Sequence, residues 1–263
     1  MLECVVNVSE GRDRAAIDAL ADAAGDDLLD VHTDADHHRS VLTLRGEAAP
    51  RAVAAAAVAR LDLRSHEGAH PRIGVVDVVP FVALGTTPAH EARRARDDFC
   101  RWAGEELALP CFRYGDERTL PEIRRGAFAE LAPDCGPAEP HPTAGAAAVG
   151  RRPVLVAYNV WLRRPDLPRA RALASQLRSP SVRALGLAVG EEVQVSMNLI
   201  APEVTGPAAV VDAIAATDEV ARCELVGLVP RSVLEAVAPS RWGELDLAPD
   251  RTIEARWESG VRP

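Results

Sequence analysis

The sequence predicts an α+β protein built from two similar halves, each running β-α-β-β-α-β. Three observations carry this. Short Val-rich runs alternate with stretches whose apolar residues recur at helical spacing. The same order of elements occurs twice. A Pro-, Gly- and Ala-dense stretch over 132–153 separates the two occurrences and puts the domain boundary near residue 150, giving halves of 1–150 and 151–263.

In the first half, LECVVNV (2–8) reads as a strand ended by Ser9 and Gly11. A helix follows over about 13–24, with Ala16, Ile17, Leu20 and Ala24 at helical spacing. LLDVH (28–32) and SVLTLR (40–45) read as two strands joined by the polar TDADHHR. Residues 50–62 are alanine-rich and open with proline, as a helix first turn often does. The loop RSHEGAHPRIG (64–74) leads into the apolar strand VVDVVPFVAL (75–84). That order is the ferredoxin-like, split βαβ pattern. A helix at about 88–108, a strand at 110–115 and a short helix near 120–131 extend it. The second half reads as a strand (153–162), a helix (166–179), strands near 182–189 and 192–200, a helix over roughly 207–222, and a last strand ELVGLVP (224–230) before the short helix RSVLEAVA.

Composition narrows the function. The 263 residues include 48% hydrophobic and 26% charged, ordinary for a soluble globular protein, and only 4% aromatic, so aliphatic side chains and alanine fill the core. The net charge of −9 argues against a broad nucleic-acid surface. The sequence contains no lysine, which excludes Schiff-base and P-loop lysine chemistry. Anionic substrates are left to arginines, backbone N–H groups and helix N-termini. The five cysteines form no Cys-x-x-Cys pair, the start lacks signal-peptide character, and no apolar run reaches transmembrane length. A cytoplasmic protein without a membrane partner is expected.

Four constellations could carry chemistry. In the 64–74 loop, His66 and His70 are four apart, but Gly68 lies between them and Pro71 follows. The pair is therefore not expected to share a helix face, and no metal is expected there. The loop instead presents His70, suited to proton transfer near neutrality, with Arg72 beside it; an ordinary loop histidine is the alternative. The stretch Asp30–Arg39 reads either as a His/Asp metal cluster or as a solvated turn, with Asp30 and His32 on one strand face. On the strand 191–200, Val193, Val195, Met197 and Leu199 alternate with Gln194, Ser196 and Asn198, so one face is apolar and the other offers amides suited to a heterocycle edge, or simply a wet sheet face. Asn7 and Asn159 each interrupt the first strand of a half with the same ambiguity. The loop GPAEPHPTAG (136–145) is either a ligand loop, with glycines for close approach, or a linker.

Taken in order, ECVVNVSEGRD, LLDVH…HHRSVLTLRG, HEGAHPRIGVVDVVPF, YGDERTLPEIRRGAF, APDCGP, AYNVWL, EVQVSMNLIAPEVTGP and ELVGLVP resemble the formiminotransferase family, including that domain of formiminotransferase-cyclodeaminase, from the first strand to about residue 238. The resemblance implies two ferredoxin-like subdomains whose sheets flank a substrate tunnel. It implies transfer of a formimino group between N-formimino-L-glutamate and tetrahydrofolate in histidine degradation. His70 falls on the family's catalytic histidine. The folate-contacting loop falls on Gly136, Pro137, Ala138, Glu139, Pro140, His141, Pro142, Thr143, Ala144 and Gly145. Arg72 matches the motif too, and Asn7, His32, Gln194 and Asn198 complete the expected folate- or substrate-binding set. Tetrahydrofolate would be a co-substrate, with no metal and with small molecules as partners; a homodimer is expected. The sequence departs from the family at Ala69 and His32, where an acid is usual, and at His38, where asparagine is usual. Loss of the acid would make His70 less basic. These departures leave room for a different donor or acceptor, such as a formyl group or another amine, or for folate binding without turnover. No cyclodeaminase domain is expected after the second half.

Overall fold

The computed structural model describes residues 1–68 and 71–260. The chain divides into two compact units, Met1–Pro153 and Val154–Ser259.

The first unit begins with β1 (Leu2–Val8), α1 (Arg14–Ala24), β2 (Leu28–Asp34), β3 (Arg39–Arg45), α2 (Ala48–Arg60) and β4 (Val76–Ala83). It continues with α3 (Ala89–Glu106), β5 (Cys111–Tyr114), α4 (Leu120–Gly126) and β6 (Ala147–Arg151). Local chemistry sets these boundaries. Asp13 caps α1 by accepting from the N–H groups of Ala15 (3.0 Å) and Ala16 (3.1 Å). Thr119 and Glu122 form a reciprocal capping box on α4.

The described strands form one six-stranded sheet in the order β2-β3-β1-β4-β6-β5. One face packs against α1, α2 and α3 through Val6, Leu20, Leu44, Val53, Phe81 and Phe99. On the other face, Val78, Phe112, Tyr114, Ile123 and Ala148 form a smaller apolar cluster. Asn7, Val41 and His32 stand directly opposite one another across β1, β3 and β2, so they share that second face.

The stretch 132–153 differs from the expected loop. Its last part is β6, which pairs in parallel with both β4 and β5. Residues Ala147, Ala148, Val149 and Gly150 are buried, and small side chains are what the crowding demands: a Cβ on Gly150 would collide with the Tyr114 ring.

The second unit runs β7 (Val156–Leu162), α5 (Leu167–Leu177), β8 (Val182–Val189), β9 (Glu192–Leu199), α6 (Pro207–Ala215), β10 (Val220–Val226), α7 (Arg231–Glu235) and α8 (Ile253–Ser259). Its sheet order is β10-β7-β9-β8. Helix α6 stops seven residues short of the expected end, and β10 begins four residues early. Thr217 and Asp218, poor helix formers, are held by Arg169 of α5 at 2.9 and 2.6 Å, which turns the chain into the strand. Leu245, Leu247 and Ile253, beyond the elements the sequence reveals, are buried, and the Tyr158 hydroxyl donates to the Leu245 carbonyl at 2.6 Å.

Candidate active site

The first unit concentrates its polar machinery where β1, the β2–β3 turn and the 64–74 loop meet. Ser9, His37, His38, Arg39, His66 and Arg72 line a small cleft there. The expected acid/base, His70, lies outside the described residues, as does Ala69.

On the entering side, the Arg72 guanidinium donates to the carbonyls of Gly68 (3.1 Å) and His66 (2.6 Å). Arg72 therefore ties together its own loop as well as lining the cleft. On the leaving side, Arg124 of α4 donates to the Pro71 carbonyl and pairs with Asp77 at 2.6 Å. Asp77 is 1% exposed, and its carboxylate also takes the Ile73 N–H at 2.9 Å and Arg39 at 3.1 Å. The sheet explains its direction. The register passes from Asn7 opposite Val78 to Val8 opposite Val76, leaving Asp77 as the extra residue of a bulge, a device that re-aims a side chain. Arg39 donates to the Asn7 side-chain oxygen from both Nε (3.0 Å) and Nη2. Burial, only partly offset by Asp77 and reinforced by Arg124, pulls the Arg39 guanidinium down to about 10.

Beside this lattice stands Glu10. One of its oxygens receives the N–H groups of Gly11, Arg12 and Asp13 (2.8–2.9 Å) and the His38 ring Nε2 (3.0 Å). Burial works against the charge, but the Asp13 and Arg12 amides and His38 outweigh it, so the Glu10 carboxyl lies below its usual range. His66, which the structure places in extended backbone after a 3-10 turn, donates from Nε2 to the His38 carbonyl at 2.8 Å. Its Nδ1 is buried without a hydrogen-bond partner among the described residues. Burial, and then the neighbouring His38 and Arg72 charges, lower the His66 ring below its ordinary value despite the bond to the His38 carbonyl. In the 30–39 stretch, Asp34 pairs with His37 at 2.7 Å. Burial opposes the charge there too, yet the His37 ring and the His37 and Asp36 amides hold Asp34 at about 2. Among the described residues, no group of three His, Cys, Asp or Glu side chains is placed to hold a metal ion.

The loop 136–145 comes to the exit of the 64–74 loop. Gly136 through Pro140 are exposed, whereas Ala144 and Gly145 are buried. His141 and Gly145 exchange backbone hydrogen bonds (2.8 and 2.9 Å), and the His141 Nδ1 accepts from the Ala144 N–H at 3.0 Å, which leaves the ring proton on Nε2. The Thr143 carbonyl accepts from the Leu63 N–H at 2.7 Å and the Ala144 carbonyl from the Val75 N–H at 2.9 Å. Gly145 has φ +70, and a Cβ there would strike the Ile73 carbonyl. Asn7, Arg72 and this loop therefore gather around segment 71–78. His32 lies in the same row of the sheet as Asn7.

Gln194 and Asn198 belong to the second unit. The alternation on β9 holds: Val193, Val195, Met197 and Leu199 enter the core. Asn198 is exposed, while Gln194 is 1% exposed with its side-chain oxygen unpartnered among the described residues. On neighbouring strands the Glu224 carboxylate accepts from Asn159 (3.0 Å) and the Trp161 indole (2.9 Å). Sequence reasoning missed Glu10, Asp77, Arg124 and Glu224. Asp77 carried a usable signal, as the one charged residue inside VVDVVPFVAL.

Comparison with known proteins identifies the class. The family model for the formiminotransferase domain, N-terminal subdomain, matches residues 1–152, and the chain belongs to that family. It is 36% identical over 232 residues to the glutamate formimidoyltransferase of Streptococcus pyogenes serotype M1, covering 76% of this chain and 77% of that protein. The glutamate formimidoyltransferase of Thermoplasma acidophilum is 33% identical over 232 residues, covering 76% of each. The formimidoyltransferase-cyclodeaminase of Sus scrofa is 33% identical over 282 residues, covering 90% of this chain and 52% of that longer protein.

Proposed function

We propose that this protein transfers a formimino group between N-formimino-L-glutamate and tetrahydrofolate, with His70 as general acid/base. The observation that carries the reading is the 36% identity to a glutamate formimidoyltransferase across three quarters of both chains. In this reading the two β-α-β-β-α-β halves are ferredoxin-like subdomains of one transferase.

The N5 amine of tetrahydrofolate attacks the formimino carbon and forms a tetrahedral intermediate. His70 takes the proton from the attacking nitrogen and returns it to the glutamate nitrogen as the C–N bond breaks. The loop 136–145 offers exposed backbone for the folate, and Asn7, His32 and Arg72 offer polar groups on the first unit. Gln194 and Asn198 are the second unit's candidates. With no lysine in the chain, substrate carboxylates fall to arginines and backbone N–H groups.

The test is glutamate release by purified protein supplied with tetrahydrofolate and N-formimino-L-glutamate, with His70→Ala alongside. A positioned acid/base contributes about 10²–10⁴-fold, so the variant is expected to lose that much of kcat. Wild-type protein that binds tetrahydrofolate but releases no glutamate overturns the donor assignment. A His70→Ala variant that retains most turnover overturns the role of His70.

A further inference from the structure

His38 carries more contacts than a turn residue needs. Its backbone is left-handed, with φ +51, a conformation uncommon outside glycine. Its ring stacks on His66, with centroids 4.0 Å apart and planes 14° from parallel. The ring Nε2 faces the Glu10 carboxylate at 3.0 Å and Nδ1 faces the Glu67 carbonyl at 2.9 Å. Both partners are acceptors, so a ring N–H on either side has a place to donate. The His38 carbonyl takes the His66 Nε2 at 2.8 Å. Gly68 is wedged against the same residue: a Cβ there would lie 2.8 Å from the His38 Cβ and 2.7 Å from the His37 carbonyl. One residue of the β2–β3 turn thus holds positions 66, 67 and 68 at once, immediately before the segment carrying His70.

We infer that His38 is a positioning residue, clamping the 66–68 segment, which precedes His70 in the sequence, to the Glu10 loop. The inference rests on the proposed role of His70. Among the described residues, the charged and titratable groups around the ring are Glu10 from the β1–α1 loop, His66 and Arg72 from the 64–74 loop, and His37, itself paired with Asp34, and Arg39 from its own turn and the strand that follows.

The test is a kinetic cycle of His38→Asn and His70→Ala, with side-chain ¹H–¹⁵N NMR of the wild type at neutral pH. Asparagine suits a left-handed backbone but lacks the ring, so the variant is expected to fold. In the wild-type background His38→Asn is expected to lower kcat by about 10–100-fold, as a small misplacement of a catalytic group does. KM for tetrahydrofolate is expected to stay within about threefold. In the His70→Ala background the same change is expected to have no further effect. Equal slowing in both backgrounds, or no slowing in either, overturns the inference. The spectrum is expected to show a His38 ring N–H proton slowed in exchange. A wild type without formimino transfer sinks the proposed reaction, and the spectrum then judges the clamp alone: a His38 ring N–H in rapid exchange refutes it.

Discussion

Asp77 offers the sharpest test of how the first unit holds its site. Replacing it by alanine takes the Asp77 carboxylate from the guanidinium of Arg39, whose side chain is 15% exposed, and removes the acceptor of the part-buried Ile73 N–H. It also removes the partner that orients Arg124 on the Pro71 carbonyl. Breaking a buried ion pair from one side costs about 3–5 kcal/mol. For a chain of this size each kcal/mol moves the unfolding midpoint by about 2–4 °C, so a fall of roughly 10 °C is expected. Arg124→Ala leaves Asp77 paired with Arg39 and should cost about half as much. Scanning calorimetry with circular dichroism gives the midpoints, and glutamate release gives the accompanying loss of kcat. The reasoning is refuted if Asp77→Ala lowers the midpoint by less than about 3 °C, or if Arg124→Ala is the more damaging of the two.

Other outcomes follow from the same contacts. Because Asp34 is held at about 2 when folded, it adds stability that is complete above the ordinary carboxylate range and disappears as pH falls through the folded value. Acid titration of stability should therefore be shallower in Asp34→Asn between about pH 4 and pH 2, and an unchanged slope counts against the His37 pairing. Gly68→Ala forces a methyl against the His37 carbonyl and the His38 Cβ, and overpacking of this kind costs about 1–3 kcal/mol. Turnover should fall at least about tenfold, and wild-type kinetics in this variant would show that the segment yields freely. His141→Ala strips the acceptor from the Ala144 N–H and should raise KM for tetrahydrofolate about tenfold with kcat nearly kept, measured by steady-state kinetics.

The regular part of the fold was legible because its chemistry is local. The spacing of Ala16, Ile17, Leu20 and Ala24 announces α1, the alternation of Val193, Val195, Met197 and Leu199 announces β9, and the Val-rich runs announce β1 and β4. Strand β6 was hidden for the opposite reason. A strand enclosed by neighbours on both sides can be built of Ala and Gly, and AAVGR has none of the β-branched density that marks an exposed pleat. The end of α6 was hidden because the Arg169–Asp218 pair, distant in sequence, sets it. At the site, the composition of the 64–74 loop singled out His66, His70 and Arg72. The groups that hold the loop come from α4, β4 and the β1–α1 loop, and no local pattern joins Glu10, Asp77 and Arg124 before the chain has folded.

The parallel insertion of β6 bears on how the chain assembles during synthesis. Val78 must wait for Ala148 before β4 gains its second neighbour, and among the described strands β5 pairs with β6 alone. The nascent chain can thus complete the antiparallel β2-β3-β1-β4 portion early while the outer edge of β4 stays open. Unpaired edges invite pairing with other chains, and parallel closure over a long loop is slow. The vulnerable interval in biogenesis falls while residues 84–146 are being made, and a stalled or truncated chain lacking 147–151 would expose β4 and orphan β5 at once. For this protein the hazard of aggregation lies in timing of closure, more than in the composition of any one strand.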